Sequence, residues 1–426
     1  MPEPPDFWEA LFGPATGAPA GAWMNLRLVR KHGRPFLLLP RQRRAAALSL
    51  SLYPAQTPRA RAARALLRWA VGGAIPLGTR PLSFAIAPED DFVRFIASLA
   101  GEPKPALPTM GILAGNPAKD DQRFLILVFD AGQNPVAVVK AGLSERAQAL
   151  VEKERALLAA MPPNLGSVPR LRAHFQSPRQ RALAMDFAPG DSPRPRDEGA
   201  LPALLTSWVD TQRTLALGET ADWQRLTRAV QARELPNPLL QRLPGRTVPA
   251  TLQHGDFAPW NIKVSPASGA WTVLDWERGE LAGIPGWDWF HYVLQPAILV
   301  ERLPVAGLVQ RMEGLLRSEA FLAYAERAGI RGCERELALA YLIHAAEVIK
   351  PPKAWRRRTN SGARWRRGGS GFSLASPQRS ASPGNGAAML APPPGRMSAR
   401  PGAAGLQPCP TRARMFYYQP VMPGIS

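Results

Sequence analysis

The chain has 426 residues, 46% of them hydrophobic, so it can form two or three domains with their own cores. Two cysteines, Cys333 and Cys409, exclude a disulfide framework or a four-cysteine zinc site, and no apolar run reaches the ~18 residues of a membrane span. The net charge of +20 points to nucleic acid or membrane surfaces only until it is divided: residues 351–426 hold twelve Lys or Arg and no acid, whereas 191–350 hold 17 basic and 19 acidic groups.

The N-terminus, Met1-Pro-Glu-Pro-Pro-Asp6, has no basic and apolar leader, so a cytoplasmic location is expected. Residues 1–105 read as an accessory α/β region. Alternation of Leu48, Leu50 and Leu52 suits a strand, and Arg59 to Val71 has a helical period. The arginines of that helix, Arg59, Arg61, Arg64 and Arg68, form either a phosphate-binding face or a solvated one. Next, Arg123–Phe129 reads as a buried strand and Asp130–Pro135 as a turn, with Val136–Lys140 returning antiparallel. A helix from about Ser144 to Met161 follows, then strands over Arg170–Gln176 and Arg181–Phe187. Residues 198–233 and 286–350 are expected to be mainly helical. From Pro351 onward, a run rich in Arg, Pro, Ser and Gly cannot bury enough apolar surface to offset chain entropy, and disorder is expected. An out-of-frame extension of GC-rich DNA would also produce its abrupt loss of acids.

The chemistry concentrates in His254-Gly-Asp256-Phe-Ala-Pro-Trp-Asn261 and Leu274-Asp275-Trp-Glu277. Ile262–Ser265 and Trp271–Leu274 are short arms of equal length around Pro266-Ala-Ser-Gly269-Ala, which has hairpin-turn composition. A hairpin with matched arms brings Asn261 and Asp275 side by side at its open end, with Asp256 in the adjoining loop. Three oxygen-bearing side chains then converge, and magnesium takes one or two such ligands together with phosphate oxygens.

This pattern resembles the aminoglycoside phosphotransferase and choline kinase-like family, a branch of the protein-kinase-like fold. The resemblance implies an α+β, two-lobed architecture, with a small antiparallel-sheet lobe at 106–190 and a mostly helical catalytic lobe at 191–350. It implies Asp256 as catalytic base, Asn261 and Asp275 as magnesium ligands, and His254 and Asp288 as supports of the loop. A lysine at an early strand end, Lys140, would reach the nucleotide phosphates, paired with Glu154 in the Glu-x-x-x-Leu run before Leu157 and Leu158, or with Glu152. Met185, before Ala188-Pro-Gly190, would sit at the nucleotide base. The phosphate-cradling loop is the departure: Gly111-Ile-Leu-Ala-Gly115 has two glycines and no Gly-x-Gly-x-x-Gly.

The implied activity is transfer of the γ-phosphate of magnesium-bound ATP, with GTP the alternative, to a hydroxyl of a small molecule. Nucleic acid is not an expected partner, because over half the net charge sits in the tail. Two other readings stay open: a nucleotide-binding scaffold or pseudokinase, and a kinase-like protein of a surface-polysaccharide pathway whose first 105 residues hold a phosphorylated acceptor.

Overall fold

The computed structural model describes residues 7–13, 22–31, 33–53, 55, 57–73, 75, 79–101, 107–115, 122–163, 165–232 and 238–348. Side chains along its strands alternate between two covered faces, as a sheet packed on both sides requires. The strands are β1 (Trp23–Lys31), β2 (Arg34–Pro40), β3 (Thr79–Ala85), β4 (Met110–Ala114), β5 (Arg123–Phe129), β6 (Pro135–Gly142), β7 (Leu171–Gln176) and β8 (Arg181–Asp186). They form one sheet in the order β3-β1-β2-β4-β5-β6-β8-β7, antiparallel throughout. The first three strands therefore extend the lobe's sheet through the pairs Leu37↔Leu113 and Leu38↔Ile112.

Helices α1 (Phe7–Phe12) and α4 (Asp91–Ala100) cover one face of that sheet, setting Leu11, Phe12, Phe92 and Ile96 against Leu26, Ile112, Ile126 and Val139. Helices α2 (Arg43–Ser49) and α3 (Pro58–Gly72) cover the other, near Leu37, Leu113, Leu125 and Leu127. The expected strand through Leu48, Leu50 and Leu52 is instead the end of α2 and a following 3-10 turn. Ala45, Ala46 and Ser49, one helical face, are the side chains that meet the sheet. Helix α5 (Glu145–Ala160) starts at Ser144, whose hydroxyl accepts the Ala147 N–H.

The second half gathers around Trp223, Trp276, Trp287, Phe257, Phe290 and Phe321. Its helices are α6 (Leu201–Ser207), α7 (Ala221–Gln231), α8 (Leu239–Arg242), α9 (Trp287–Leu299), α10 (Val305–Arg317), α11 (Glu319–Arg327) and α12 (Glu334–Glu347). The stretch 198–233 is not wholly helical, because β9 (Val209–Ala216) lies within it. It pairs with β10 (Thr247–Gln253), which pairs in turn with β13 (Glu280–Gly283). Strands β11 (Ile262–Val264) and β12 (Trp271–Val273) form a separate hairpin. The result is the expected α+β architecture, an antiparallel sheet in the first half and a mostly helical second half. Residues 351–426 lie outside the described residues.

Candidate active site

Register in the hairpin decides where the site forms. Ile262 pairs with Val273 and Val264 with Trp271, and the Leu274 N–H donates to the Asn261 carbonyl at 2.7 Å. Asn261 and Asp275 therefore flank the open end, and both line a cleft of ≈340 Å³. Asp275 leaves β12 with φ of 71°, a left-handed conformation that a non-glycine residue holds at a cost of about 1–3 kcal/mol.

Along β6, Ala137, Val139 and Ala141 join the sheet's core, while Val138 and Lys140 line the cleft. Lys140 Nζ donates to Glu154 Oε2 and to Asp275 Oδ1, both at 2.5 Å. Glu154 is fully buried on α5, and its Oε1 accepts the Trp276 N–H at 3.0 Å. Glu152, the other candidate, pairs with Arg155. Burial opposes the charge on Lys140, but Asp275 and Glu154 overcome it and raise its pKa. Burial also opposes the Asp275 carboxylate, which Lys140 nevertheless holds at about 2. One ammonium serves two acids here, and burial pushes Glu154 up. Glu154, Asp275 and Glu277 have carboxylate oxygens within 4.8 Å of one another, but the ammonium bonded to the first two lies 4.0 Å from the third. The acids enclose a lysine.

The loop before the hairpin is fixed from below. Asp288, in the first turn of α9, accepts the backbone N–H of His254 at 2.6 Å and of Gly255 at 3.0 Å. Burial raises the Asp288 carboxyl to about 7 despite those two donors. His254 is fully buried; its Nδ1 accepts the Asp256 N–H at 3.2 Å, so Nε2 carries the proton that is donated to the Leu274 carbonyl at 2.8 Å. One imidazole thus ties the loop to the returning strand, and burial depresses its pKa. Gly255 has φ of 76°, and an added Cβ would stand 2.8 Å from the Arg278 carbonyl oxygen, so glycine is required there.

Asp256 is held on both sides. Its backbone carbonyl accepts Asn261 Nδ2 at 2.9 Å, leaving Asn261 Oδ1 available as a ligand. Its Oδ1 meets His291 Nε2 at 3.0 Å, and His291 Nδ1 meets the Tyr341 hydroxyl at 3.0 Å. Burial raises the Asp256 carboxyl, but the His291 bond and the nearby Arg278 charge bring it below its ordinary value.

Met185 lines the cleft beside Leu113, Leu125, Val138, Phe187 and Leu274, an apolar slot opening onto Lys140 and Asp275. The structure thus brings Lys140, Met185, Asn261 and Asp275 to one cleft, with Glu154 buried behind Lys140 and His254, Asp256 and Asp288 in the adjoining loop and helix. The run Gly111–Gly115 is no loop: Met110–Ala114 is the buried strand β4, and the connection that follows, 116–121, lies outside the described residues.

Four contributors went unread in the sequence. His291 follows Asp288 by three residues, so helical spacing alone places both on one face. Arg123 lines the cleft and pairs with Glu277. Ser51 and Leu52, from the segment between α2 and α3, also line it.

Residues 115–288, which include every site residue expected from the sequence, match the model of a phosphotransferase enzyme family. The resemblance read from the motifs is borne out over that span. No curated protein matches. The chain is similar to the solved aminoglycoside phosphotransferase APH(3'')-Id of Streptomyces rimosus, with 17% identity, 60% of this chain and 98% of that one covered, and a TM-score of 0.37. It is also similar to the ternary complex of a thermostable variant of the aminoglycoside phosphotransferase APH(4)-Ia with ADP and hygromycin B (14% identity, 60% and 97% covered, TM-score 0.32). An aminoglycoside-3'-phosphotransferase of type VIII gives 16% identity, 51% and 88% covered, and a TM-score of 0.31. At such identities and TM-scores the likeness carries no substrate across.

Proposed function

We propose that this chain, matched over residues 115–288 by a phosphotransferase family, moves the γ-phosphoryl group of Mg-ATP to a hydroxyl of a small molecule. The observation that carries this is Lys140 Nζ, 2.5 Å from both Glu154 and Asp275 on the wall of an apolar slot. A lysine clamped in this way presents a fixed positive charge to a polyphosphate entering the cleft.

Asp275 and Asn261 suit magnesium: both are hard oxygen donors, both line the cleft, and the Asn261 amide nitrogen is already used on Asp256. When bound, the ion would neutralise charge on the phosphate oxygens. Asp256 orients the acceptor hydroxyl and takes its proton as the new P–O bond forms and the bond from Pγ to the β,γ-bridging oxygen breaks, releasing ADP. In a loose transition state that proton leaves late, so a carboxylate held below its ordinary pKa suffices. His291 bonds Oδ1, and Oδ2, which receives only the long 3.4 Å bond from Asn261 Nδ2, is the oxygen that faces the acceptor. A scaffold without catalysis would not need this set together, which favours an enzyme over a pseudokinase.

The test is ATP and GTP consumption against amino sugars, choline-like amines and sugar alcohols, with magnesium present or withheld. Asp256→Ala is expected to lower turnover by roughly 10²–10⁴-fold with nucleotide affinity nearly intact. Asp275→Ala is expected to weaken binding of the magnesium nucleotide instead. Equal turnover by the wild type and Asp256→Ala would sink the assigned base.

A further inference from the structure

Helix α3 has two apolar faces, and the described residues pack against only one. Ala60, Ala70 and Val71 are buried, and Leu67 packs beside them against the sheet. At about 100° per residue, Ala62, Ala65, Leu66 and Trp69 fall on the opposite arc. Leu66 is 55% exposed and Trp69 67%, the greatest exposure of any large hydrophobic side chain among the described residues. Arg61 and Arg68 run along one border of that arc and Arg59 along the other, all exposed. Arg64 is turned away, to Asp191 and to the Tyr53 carbonyl. A single exposed leucine needs no explanation, but an apolar strip edged by arginines on a folded helix does.

Charge decides what can cover it. Residues 10–88 hold twelve Lys or Arg and no Asp or Glu. A second copy paired two-fold through this face would bring the same arginines together, and segment 351–426, also without an acid, would add twelve more cations. The occupant has to be anionic and has to accept Leu66 and Trp69. A duplex supplies phosphate but asks for polar groups along its grooves, and a single strand could stack a base on Trp69 but offers no apolar depth to Ala62, Ala65 and Leu66. The boundary between headgroups and acyl chains supplies both: apolar depth for Leu66 and Trp69, and phosphate at the height where arginine stems reach outward.

We propose that the outer face of α3 docks the protein on an anionic lipid surface, lying in the interface without crossing it. Docking involves no residue of the active site, so it stands or falls separately from the reaction.

The experiment is co-sedimentation of the full chain with vesicles of equimolar phosphatidylglycerol and phosphatidylcholine, and with phosphatidylcholine alone. The wild type is expected to bind the mixed vesicles and not the neutral ones. Leu66→Ser/Trp69→Ser, which keeps every charge, is expected to lose binding by about tenfold or more. Arg61→Gln/Arg68→Gln, which keeps the apolar strip, is expected to weaken binding and flatten its salt dependence. Both variants alter exposed positions, and unchanged thermal melting confirms their fold. Wild-type-like binding by the serine variant would assign the attraction to basic segments elsewhere and overturn the proposal. Equal wild-type binding to neutral vesicles would also overturn it. So would retention on an RNA homopolymer that the serine variant weakens while vesicle binding stays put.

Discussion

His291 Nε2 lies 3.0 Å from Asp256 Oδ1, and both groups come from elements that the chain separates by 35 residues. A carboxylate only accepts, so the imidazole donates, and the Tyr341 hydroxyl engages the other ring nitrogen at 3.0 Å. The chain Tyr341–His291–Asp256 holds Oδ1 and so fixes the orientation of the carboxylate, whose Oδ2 meets Asn261 Nδ2 at 3.4 Å. His291→Phe is expected to lower kcat by roughly tenfold to a hundredfold, the cost of a misplaced reacting group, with the KM for nucleotide near wild type. His291→Gln, which restores an N–H donor, is expected to recover part of the loss. Steady-state kinetics on the three proteins decides it: a change confined to KM, or no recovery by glutamine, would leave His291 as packing alone.

Among the described residues, Lys140 is the one cation paired with the buried Glu154 carboxylate, and it also serves Asp275. Removing it leaves two acids without their counter-charge in a low-dielectric site. Lys140→Ala is expected to destabilise the fold by about 3–5 kcal/mol, the usual cost of stranding a buried partner. Lys140→Met/Glu154→Leu, which removes both charges, is expected to recover much of that. Urea unfolding measures both, and a single variant as stable as the wild type would show that the acids are not held by the lysine.

How much of this could be read in the residues follows from how local each signal is. Asp256, Asn261 and Asp275 sit within one loop and hairpin, so turn composition and arm length sufficed to place them. Lys140 and Glu154 belong to adjacent elements, and strand end and helix spacing were enough. His291 comes from α9, and nothing but its helical distance from Asp288 hinted at it. Leu48, Leu50 and Leu52 alternate like a strand, yet the three alanines before them continue a helix, and so short a run cannot separate the two periods. That β2 joins β4 is a pairing between residues about 75 apart, which no local pattern encodes.

Acid sensitivity follows from Asp222. Burial alone would raise this carboxyl, but His344 at 3.2 Å and Arg225 at 2.8 Å hold it at about 2. Its folded-state pKa is below its unfolded value, so its contribution is present above about pH 4 and is lost as pH falls towards 2. The shift corresponds to about 2.5 kcal/mol. The stability gap between wild type and Asp222→Asn, measured by urea unfolding, is expected to narrow by about 2 kcal/mol between pH 5 and pH 2, where the folded-state carboxyl is half protonated. A gap that stays constant would remove the charge from the account.

Gly255 tests the loop without touching a reacting group. Its φ of 76° is a conformation that an L side chain adopts at a cost of about 1–2 kcal/mol. Its missing Cβ also makes room for the Arg278 carbonyl. Gly255→Ala is expected to lower stability by at least that cost and to reduce kcat as well, because the N–H bonded to Asp288 and the neighbouring Asp256 must shift together. Unfolding and turnover measured on one preparation should move in the same direction; a variant that loses stability but keeps full turnover would show that Asp256 is placed independently of the glycine turn.

Ser51 and Leu52 carry the last prediction. Both line the cleft that Met185, Val138 and Lys140 form, although they come from the N-terminal region rather than from 115–288. Leu52 also packs on Leu127 and Phe129, so the segment is anchored to the sheet at the slot. A bulky side chain at position 51 would project into space a nucleotide base needs, while the sheet beneath stays packed. Ser51→Trp is expected to raise the nucleotide Kd by about tenfold, the effect of losing one well-fitted apolar contact, with thermal melting near wild type. Leu52→Ala is expected to weaken nucleotide binding and stability together. Calorimetric titration with ATP separates the two: an unchanged Kd in Ser51→Trp would place the base elsewhere and return the N-terminal region to a purely structural role.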